Sequence, residues 1–265
     1  MSETLDWVPE GVDMEVPSAA RIYDFLLGGA HNFAADRAVG EKVLQVLPDG
    51  RAVARSNRAF LGRAVRYMID AGIPQFLDLG SGIPTVGNVH EVAQKADASS
   101  RVVYVDHEPV AVAHSELMLR GNDLATVIQA DLCRPDDVLA SPEVRRLIDF
   151  SQPVGLLMVA VFHFVPDQRN PAEIVAKYRD ALPSGSLIAL SHLTADQFPG
   201  EMAAVVEAMR NSRDPMYFRG YADVAPLFDG LDLVPPGLVS APAWRPEPDT
   251  DTGQEGVYAG VGRKP

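Results

Sequence analysis

From residue 74 onward, short apolar runs alternate with stretches of helical period, and that alternation predicts a parallel sheet wrapped by helices. Strands are expected at 75–79, 101–106, 125–130, 154–161 and 186–192, with helices at 87–96, 109–120, 135–148 and 171–182 between them. The strand runs are apolar almost throughout, as buried parallel strands are. Helices at 200–211 and 221–228 precede two last strands at 231–239 and 256–262. Pro235-Pro236 cannot donate to a ladder, which assigns the first of these two strands to an edge. The stretch 241–256 carries Pro242, Pro246 and Pro248 among acidic residues and reads as a solvated hairpin loop.

The first 72 residues show only the helical period. Ser18 caps a helix that runs to about Leu27 and stops at Gly28-Gly29. A second helix is expected over 34–46, ended by Pro48-Asp49-Gly50, and a third over 51–71 places Phe60, Ala64, Tyr67 and Met68 near one face. The fold class is therefore α/β: a doubly wound, Rossmann-like sheet of seven strands with a helical N-terminal cap. The cap spans 1–72, the Rossmann-like domain 73–265, and the cap is expected over the sheet's carboxyl edge.

Charge narrows the choice of partner. With 36 acidic against 23 basic residues the net charge is −13, a field that repels a phosphate-rich partner and argues against a nucleic-acid binder. A single cysteine, Cys133, excludes disulfides within the chain and cysteine-rich metal sites. Met1 to Asp6 is acidic and lacks the charged-then-apolar order of a secretory signal, and the longest apolar run, 154–165, is too short to span a bilayer. A cytoplasmic protein with no membrane partner is expected.

The candidate chemistry begins where the first strand runs into a glycine turn, Phe76-Leu77-Asp78-Leu79-Gly80-Ser81-Gly82. Two glycines around Ser81 let the backbone approach a ligand closely at the strand's carboxyl end. The second strand ends in Asp106, which is suited to the two hydroxyls of a ribose because a carboxylate accepts both hydrogen bonds. The third run leads to Asp131-Leu132, where the acid can accept from an adenine amino group. Each acid has a plainer alternative: Asp78 as a cap of the following turn, Asp131 as a cap of the helix near Pro135. One adenosyl site accounts for all three.

Three strand-terminal acids with Gly80-Ser81-Gly82 resemble the cofactor site of the class I S-adenosylmethionine-dependent methyltransferases. A nicotinamide dehydrogenase would complete G-x-G-x-x-G, and here Thr85 holds the third glycine position. The segments Pro17-Ser-Ala-Ala-Arg-Ile-Tyr-Asp-Phe-Leu-Leu-Gly-Gly29, Asn32-Phe-Ala-Ala-Asp-Arg37, Asn57-Arg-Ala-Phe-Leu61, Gly87-Asn-Val-His-Glu91 and Phe162-His-Phe-Val-Pro-Asp167 narrow the likeness. Over roughly residues 7–264 the chain is similar to an actinobacterial methyltransferase family long catalogued as a domain of unknown function. The resemblance implies S-adenosyl-L-methionine as cofactor and leaves the substrate open.

On that basis Asp78 and Gly80 to Gly82 are expected at the methionine end, Asp106 with His107 at the ribose, and Asp131 with Leu132 at the adenine. His163, just past the fourth strand, is the candidate base, since an imidazole with an ordinary pKa of about 6.5 takes up protons near neutrality. Its segment is similar to the one after strand four in some small-molecule O-methyltransferases; the alternative is a histidine that ties down a loop. From the cap, Arg21, Tyr23 and Asn32 are placed to meet the carboxylate of the cofactor or the acceptor, with Tyr23 the second catalytic candidate; the alternative makes Tyr23, Phe25 and Phe33 a packing face. Met216-Tyr217-Phe218-Arg219 is either substrate wall or core. No metal is expected: His90-Glu91 opens like a zinc-protease helix, but Gln94 stands where a second histidine belongs. No Asn-Pro-Pro-Tyr follows strand four, which disfavours amino-directed methylation of bases or glutamine. The expected function is methylation of a small molecule, at oxygen first; the alternative is a non-catalytic protein that binds S-adenosylmethionine or S-adenosylhomocysteine.

Overall fold

Five parallel strands carry the molecule: β1 (Gln75–Leu79), β2 (Arg101–Asp106), β3 (Ala125–Gln129), β4 (Gly155–Val159) and β5 (Leu187–Leu193). They are followed by β6 (Asp232–Leu233), β7 (Val239–Ser240) and the antiparallel β8 (Val257–Arg263). The order is β3-β2-β1-β4-β5-β8-β6, with β7 also paired to β8. This computed structural model describes residues 8–9, 12–85, 87–247 and 253–265. Residues 1–7, where no secretory signal is expected, and 248–252 of the expected hairpin loop lie outside the described residues.

Eight strands stand where seven are expected because the edge strand is broken. Pro235-Pro236 lies between β6 and β7, and both short pieces pair with β8 alone. An interruption of this kind is tolerated at an edge, where no second neighbour needs the missing donors.

The helices α1 (Ala19–Leu27), α2 (Ala34–Val46) and α3 (Gly50–Asp70) precede the sheet. Between strands lie α4 (Val89–Ala96), α5 (Pro109–Met118), α6 (Pro135–Ala140), α7 (Pro142–Leu147) and α8 (Pro171–Ala181), then α9 (Pro199–Met209) and α10 (Tyr221–Val224) after β5. The single helix expected over 135–148 is two, because Ser141 caps a new start by accepting from Val144 N at 3.2 Å and Pro142 takes the first position. Ser18 and Gly28 bound α1 as expected: the serine Oγ accepts from Arg21 N, and the glycine is left-handed at φ 86°.

α3 lies on a face of the sheet. Its Phe60, Ala64, Val65 and Met68 are buried in one core with Phe76, Val102, Leu157 and Ala189. Only a residue without a side chain fits where α3 crosses β4: a Cβ on Gly155 would stand 2.9 Å from Met68 Sδ and 2.7 Å from the Phe76 ring. The expected boundary at 72/73 thus falls between α3 and β1, whose side chains share a core. The opposite face buries Leu77, Val103 and Leu156 with Ile174 and Tyr178 of α8.

The expected solvated loop at 241–256 is corrected in its first part. Trp244 is fully buried, edge-on to Phe60 at 5.3 Å and to Tyr67 at 5.9 Å. Arg63 holds it there by donating to the carbonyls of Ala241 and Trp244 at 2.7 and 2.8 Å. Among the described residues no helix is long and apolar enough to cross a membrane.

Candidate active site

The strand order reverses between β1 and β4, and at that switch point the carboxyl ends of the strands open a crevice. A continuous cavity of about 510 Å³ fills it, walled below by the strand ends and above by α1, α2 and α9. The glycine turn forms its floor. Gly80 and Gly82 are left-handed at φ 71° and 68°, and a Cβ on Gly80 would lie 2.3 Å from Val161 Cγ2. The amides of Gly80 and Ser81 both donate to Val105 O, at 2.8 and 3.2 Å, which binds the turn to β2.

The three acids all line this cavity, Asp78 and Asp106 at the floor and Asp131, two residues past β3, at the mouth. Asp78 is buried without a hydrogen-bond partner among the described residues, and burial lifts its pKa to about 7, with Arg58 pulling it down and Asp106 pushing it up. Asp106 Oδ2 accepts from Gly82 N at 2.7 Å and Oδ1 from Glu108 N at 2.9 Å; burial raises its pKa as well. Each oxygen keeps a lone pair for a ligand hydroxyl. Asp131, a third exposed at the mouth, accepts from Cys133 N and from Arg169 Nη1 at 2.8 and 3.2 Å. Leu132 and His107 also line the cavity. His107 Nε2 lies 3.2 Å from Asp214 Oδ1, a hydrogen bond that lifts the imidazole pKa to about 9.

Arg21 does not reach the cavity. It is fully buried, with Nε donating to Asp36 Oδ2 at 2.8 Å and Nη1 to Glu108 Oε1 at 2.7 Å, so its fork is already filled by the protein's own carboxylates. Asn32 is likewise turned inward, donating to Asp24 Oδ2 and Gly29 O. Tyr23 lines the cavity, but its hydroxyl donates to Ala54 O at 3.0 Å and accepts from Asn57 Nδ2 at 3.1 Å, and burial raises its pKa. Asn57 in turn accepts from Ser191 Oγ at 2.6 Å, joining α1, α3 and β5.

His163 stands in the wall, buried between Phe164 and His192, with burial holding its pKa well below the usual value and His192 and Arg219 adding to the shift. Arg219 is a clamp: it donates to Phe162 O, Val165 O, His192 Nε2 and Asp167 Oδ1, fixing the segment after β4 to β5. Of its neighbours, Met216 and Phe218 face the cavity.

Arg58 is the residue that the sequence motif contains without a role. It lines the cavity near Asp78, with Nη2 on Asn88 Oδ1 at 3.1 Å and a buried, unpartnered Nε. Its signal was its place on a helix face with Ala54 and Leu61, where a charge is out of character. Ala160, at φ 56° just past β4, is a left-handed non-glycine held by Ser191, whose Oγ accepts from its amide at 2.9 Å.

The polar floor fits a nucleoside that carries a free amino acid. Ser81 Oγ and Arg58 Nε are closed in without protein partners, and the Asp78 carboxylate lines the same cavity, together supplying acceptors and a cation for an ammonium and a carboxylate. A family model described as S-adenosyl methyltransferase matches residues 6–265. The chain belongs to that family. Among solved structures, a candidate methyltransferase from Thermobifida fusca is 38% identical, covering 98% of this chain and 99% of that chain with a TM-score of 0.92. A DUF574 family protein from Streptomyces avermitilis is 36% identical over 96% of this chain and 99% of that chain, with a TM-score of 0.91. The N-methyltransferase NodS from Bradyrhizobium japonicum, solved with S-adenosyl-L-homocysteine, shares the fold alone: 11% identity, 80% of this chain and 88% of that one, TM-score 0.50. Comparison with curated proteins gives no match. This methyltransferase therefore has the class I architecture, and its cofactor is S-adenosyl-L-methionine.

Proposed function

We propose that this methyltransferase acts on a small molecule at oxygen, with the cofactor on the polar floor and the acceptor in the apolar half of the same cavity. Asp78 and Gly80 to Gly82 hold the methionine end, and Arg58 takes the carboxylate in place of Arg21. Asp106 accepts from the ribose hydroxyls, with His107 beside it, and Asp131 and Leu132 border the adenine. When bound, S-adenosylmethionine supplies a methyl group already activated on a sulfonium sulfur, so the protein's work is alignment. His163 is the side chain that meets the acceptor; Tyr23 positions it, since the tyrosine proton is committed to Ala54 O.

The observation that carries this reading is the convergence of three strand-terminal carboxylates on one cavity that continues into uncharged walls. With a net charge of −13 and no broad basic face demanded by the site, a small molecule suits it better than a nucleic acid. Titration calorimetry with S-adenosylhomocysteine tests the floor: one site per chain is expected, weakened at least about tenfold by Asp106→Ala. No heat from folded protein at millimolar ligand would refute it.

A further inference from the structure

The two halves of the cavity differ in chemistry. Asp78, Asp106, Asp131 and Arg58 stand at the sheet end, whereas every side chain that α1, α2 and α9 give to the lining is uncharged. Val43 of α2 and Leu47 just past its end face Met202, Val205 and Met209 of α9, all buried, and these two helices pack together as a roof. A phosphate or carboxylate lodged under that roof would lose its hydration, because Arg213, the cation that follows α9 in the lining, already lies 3.5 Å from Glu108 and Arg58 stands at the sheet end; a polyol would leave hydroxyls unpaired. The unbranched methionines adapt to irregular apolar shapes.

The polar groups under the roof are Tyr23, Asn57 and His163, and the first two are satisfied by each other, Ala54 and Ser191. His163 is the one left over. Its Nδ1 faces Leu193 N at 3.5 Å, a long contact that favours the ring proton on Nε2, and Nε2 has no partner among the described residues. The titratable and charged groups that face the ring are His192 and Arg219; Asp167, the acid of the same segment, is bound by Arg219. Among the described residues no carboxylate is set to orient the ring or to receive its charge, and burial with two basic neighbours disfavours the charged form. Such a ring is a hydrogen-bond donor and a poor base.

We propose that the acceptor is a lipophilic ring compound whose one polar group is an acidic hydroxyl, a phenol or an enol, and that His163 Nε2 donates a hydrogen bond to that oxygen. This rests on the methyl-transfer reading above and adds the substrate class to it. The phenol enters neutral and its hydroxyl proton goes to solvent; the oxygen, whose charge is met by the His163 N–H and by the sulfonium of the bound cofactor, then bonds to the methyl carbon and displaces the sulfur, which keeps the electron pair of the broken S–C bond. An alkanol, which needs a strong base, is not served by this site.

The test uses the full chain with 2-naphthol and 4-phenylphenol as probes and 2-naphthoate as the charged control, each titrated by fluorescence with and without S-adenosylhomocysteine. Both phenols should bind at least about tenfold more tightly than naphthoate. Val205→Trp, which fills the chamber from the roof, should weaken the phenols at least about tenfold while S-adenosylhomocysteine affinity stays within about twofold. With S-adenosylmethionine, His163→Gln keeps an N–H donor and should retain turnover of phenols within about tenfold, with a pH profile that follows the acceptor's own ionisation. Naphthoate binding as well as the phenols, or phenol binding unmoved by Val205→Trp, overturns the chamber assignment. A loss in His163→Gln of about a hundredfold or more, with cofactor affinity intact, overturns the donor role in favour of a base. If S-adenosylhomocysteine fails to bind while the phenols still respond to Val205→Trp, the methyl-transfer reading falls and the chamber assignment stands.

Discussion

Arg21 Nη1 donates to Glu108 Oε1 at 2.7 Å with both side chains closed to water, and that bond ties α1 to the turn just past Asp106. The same guanidinium holds Asp36, which in turn accepts from the amides of Ser18 and Phe33 at the starts of α1 and α2. One buried cation thus joins the cap to the turn that follows Asp106.

Removing it leaves buried Asp36 with backbone amides but no cation and Glu108 with Arg213 alone, 3.5 Å away. Arg21→Met is expected to cost about 3–5 kcal/mol in urea denaturation, and adding Asp36→Asn and Glu108→Gln should return a good part of it. A loss below about 1 kcal/mol would show that water reaches the network when the arginine is gone.

Asp78 predicts a proton-linked cofactor. Its folded pKa of about 7 stands above the unfolded value near 3.8, so the folded chain keeps a proton that the unfolded chain releases, and stability falls as pH rises between the two values and levels off above. Asp78→Asn should therefore stabilise the free protein at pH 8, by on the order of a few kcal/mol. Cationic S-adenosylmethionine favours the ionised carboxylate, so its affinity should climb toward about pH 7, with proton release near pH 6.5 seen as different calorimetric heats in buffers of different ionisation enthalpy.

The two turn glycines are expected to respond differently. Both are left-handed, but a Cβ at position 82 meets open space whereas one at 80 strikes the stiff Val161 side chain at 2.3 Å. Gly82→Ala should lose about 1–2 kcal/mol, the strain alone, and Gly80→Ala distinctly more. Thermal melts of the two variants side by side decide this.

His107 gives the opposite pH sign to Asp78. Its pKa is raised from 6.5 to about 9 by the bond to Asp214, so the stability it brings is complete below about 6.5 and is lost as pH climbs through about 9. Asp214 Oδ2 also accepts from Ala19 N at the start of α1, so the pair fastens the cap at the cavity mouth. The decline in Tm between pH 7 and 9 should be smaller in His107→Gln than in the natural protein.

Much of the frame was legible because its causes are local. Apolar runs ending in Asp78 and Asp106, and the Asp131 that follows the third run, fix strand ends by composition, and Ser18 and Gly28 bound a helix by their own hydrogen-bonding and backbone properties. Ser141-Pro142 carried a helix-start signal of the same kind, which the continuous reading over 135–148 passed over. What escaped depends on distant partners. The apolar face of α3 shows that it packs, while its packing on the sheet is decided by Phe76, Leu157 and Ala189, far along the chain. Arg21 looks free in sequence because Glu108 lies 87 residues away, and Trp244 looks solvated because its neighbours are prolines and acids while its contacts are Phe60 and Tyr67.

The most direct measurement is a crystal structure with S-adenosylhomocysteine bound. The account predicts the ribose hydroxyls on Asp106, the adenine beside Asp131 and Leu132, the amino acid end over Gly80 to Gly82 with its carboxylate toward Arg58, and the sulfur facing the apolar chamber and His163. Ligand density elsewhere, or a ribose that makes no bond to Asp106, would contradict it.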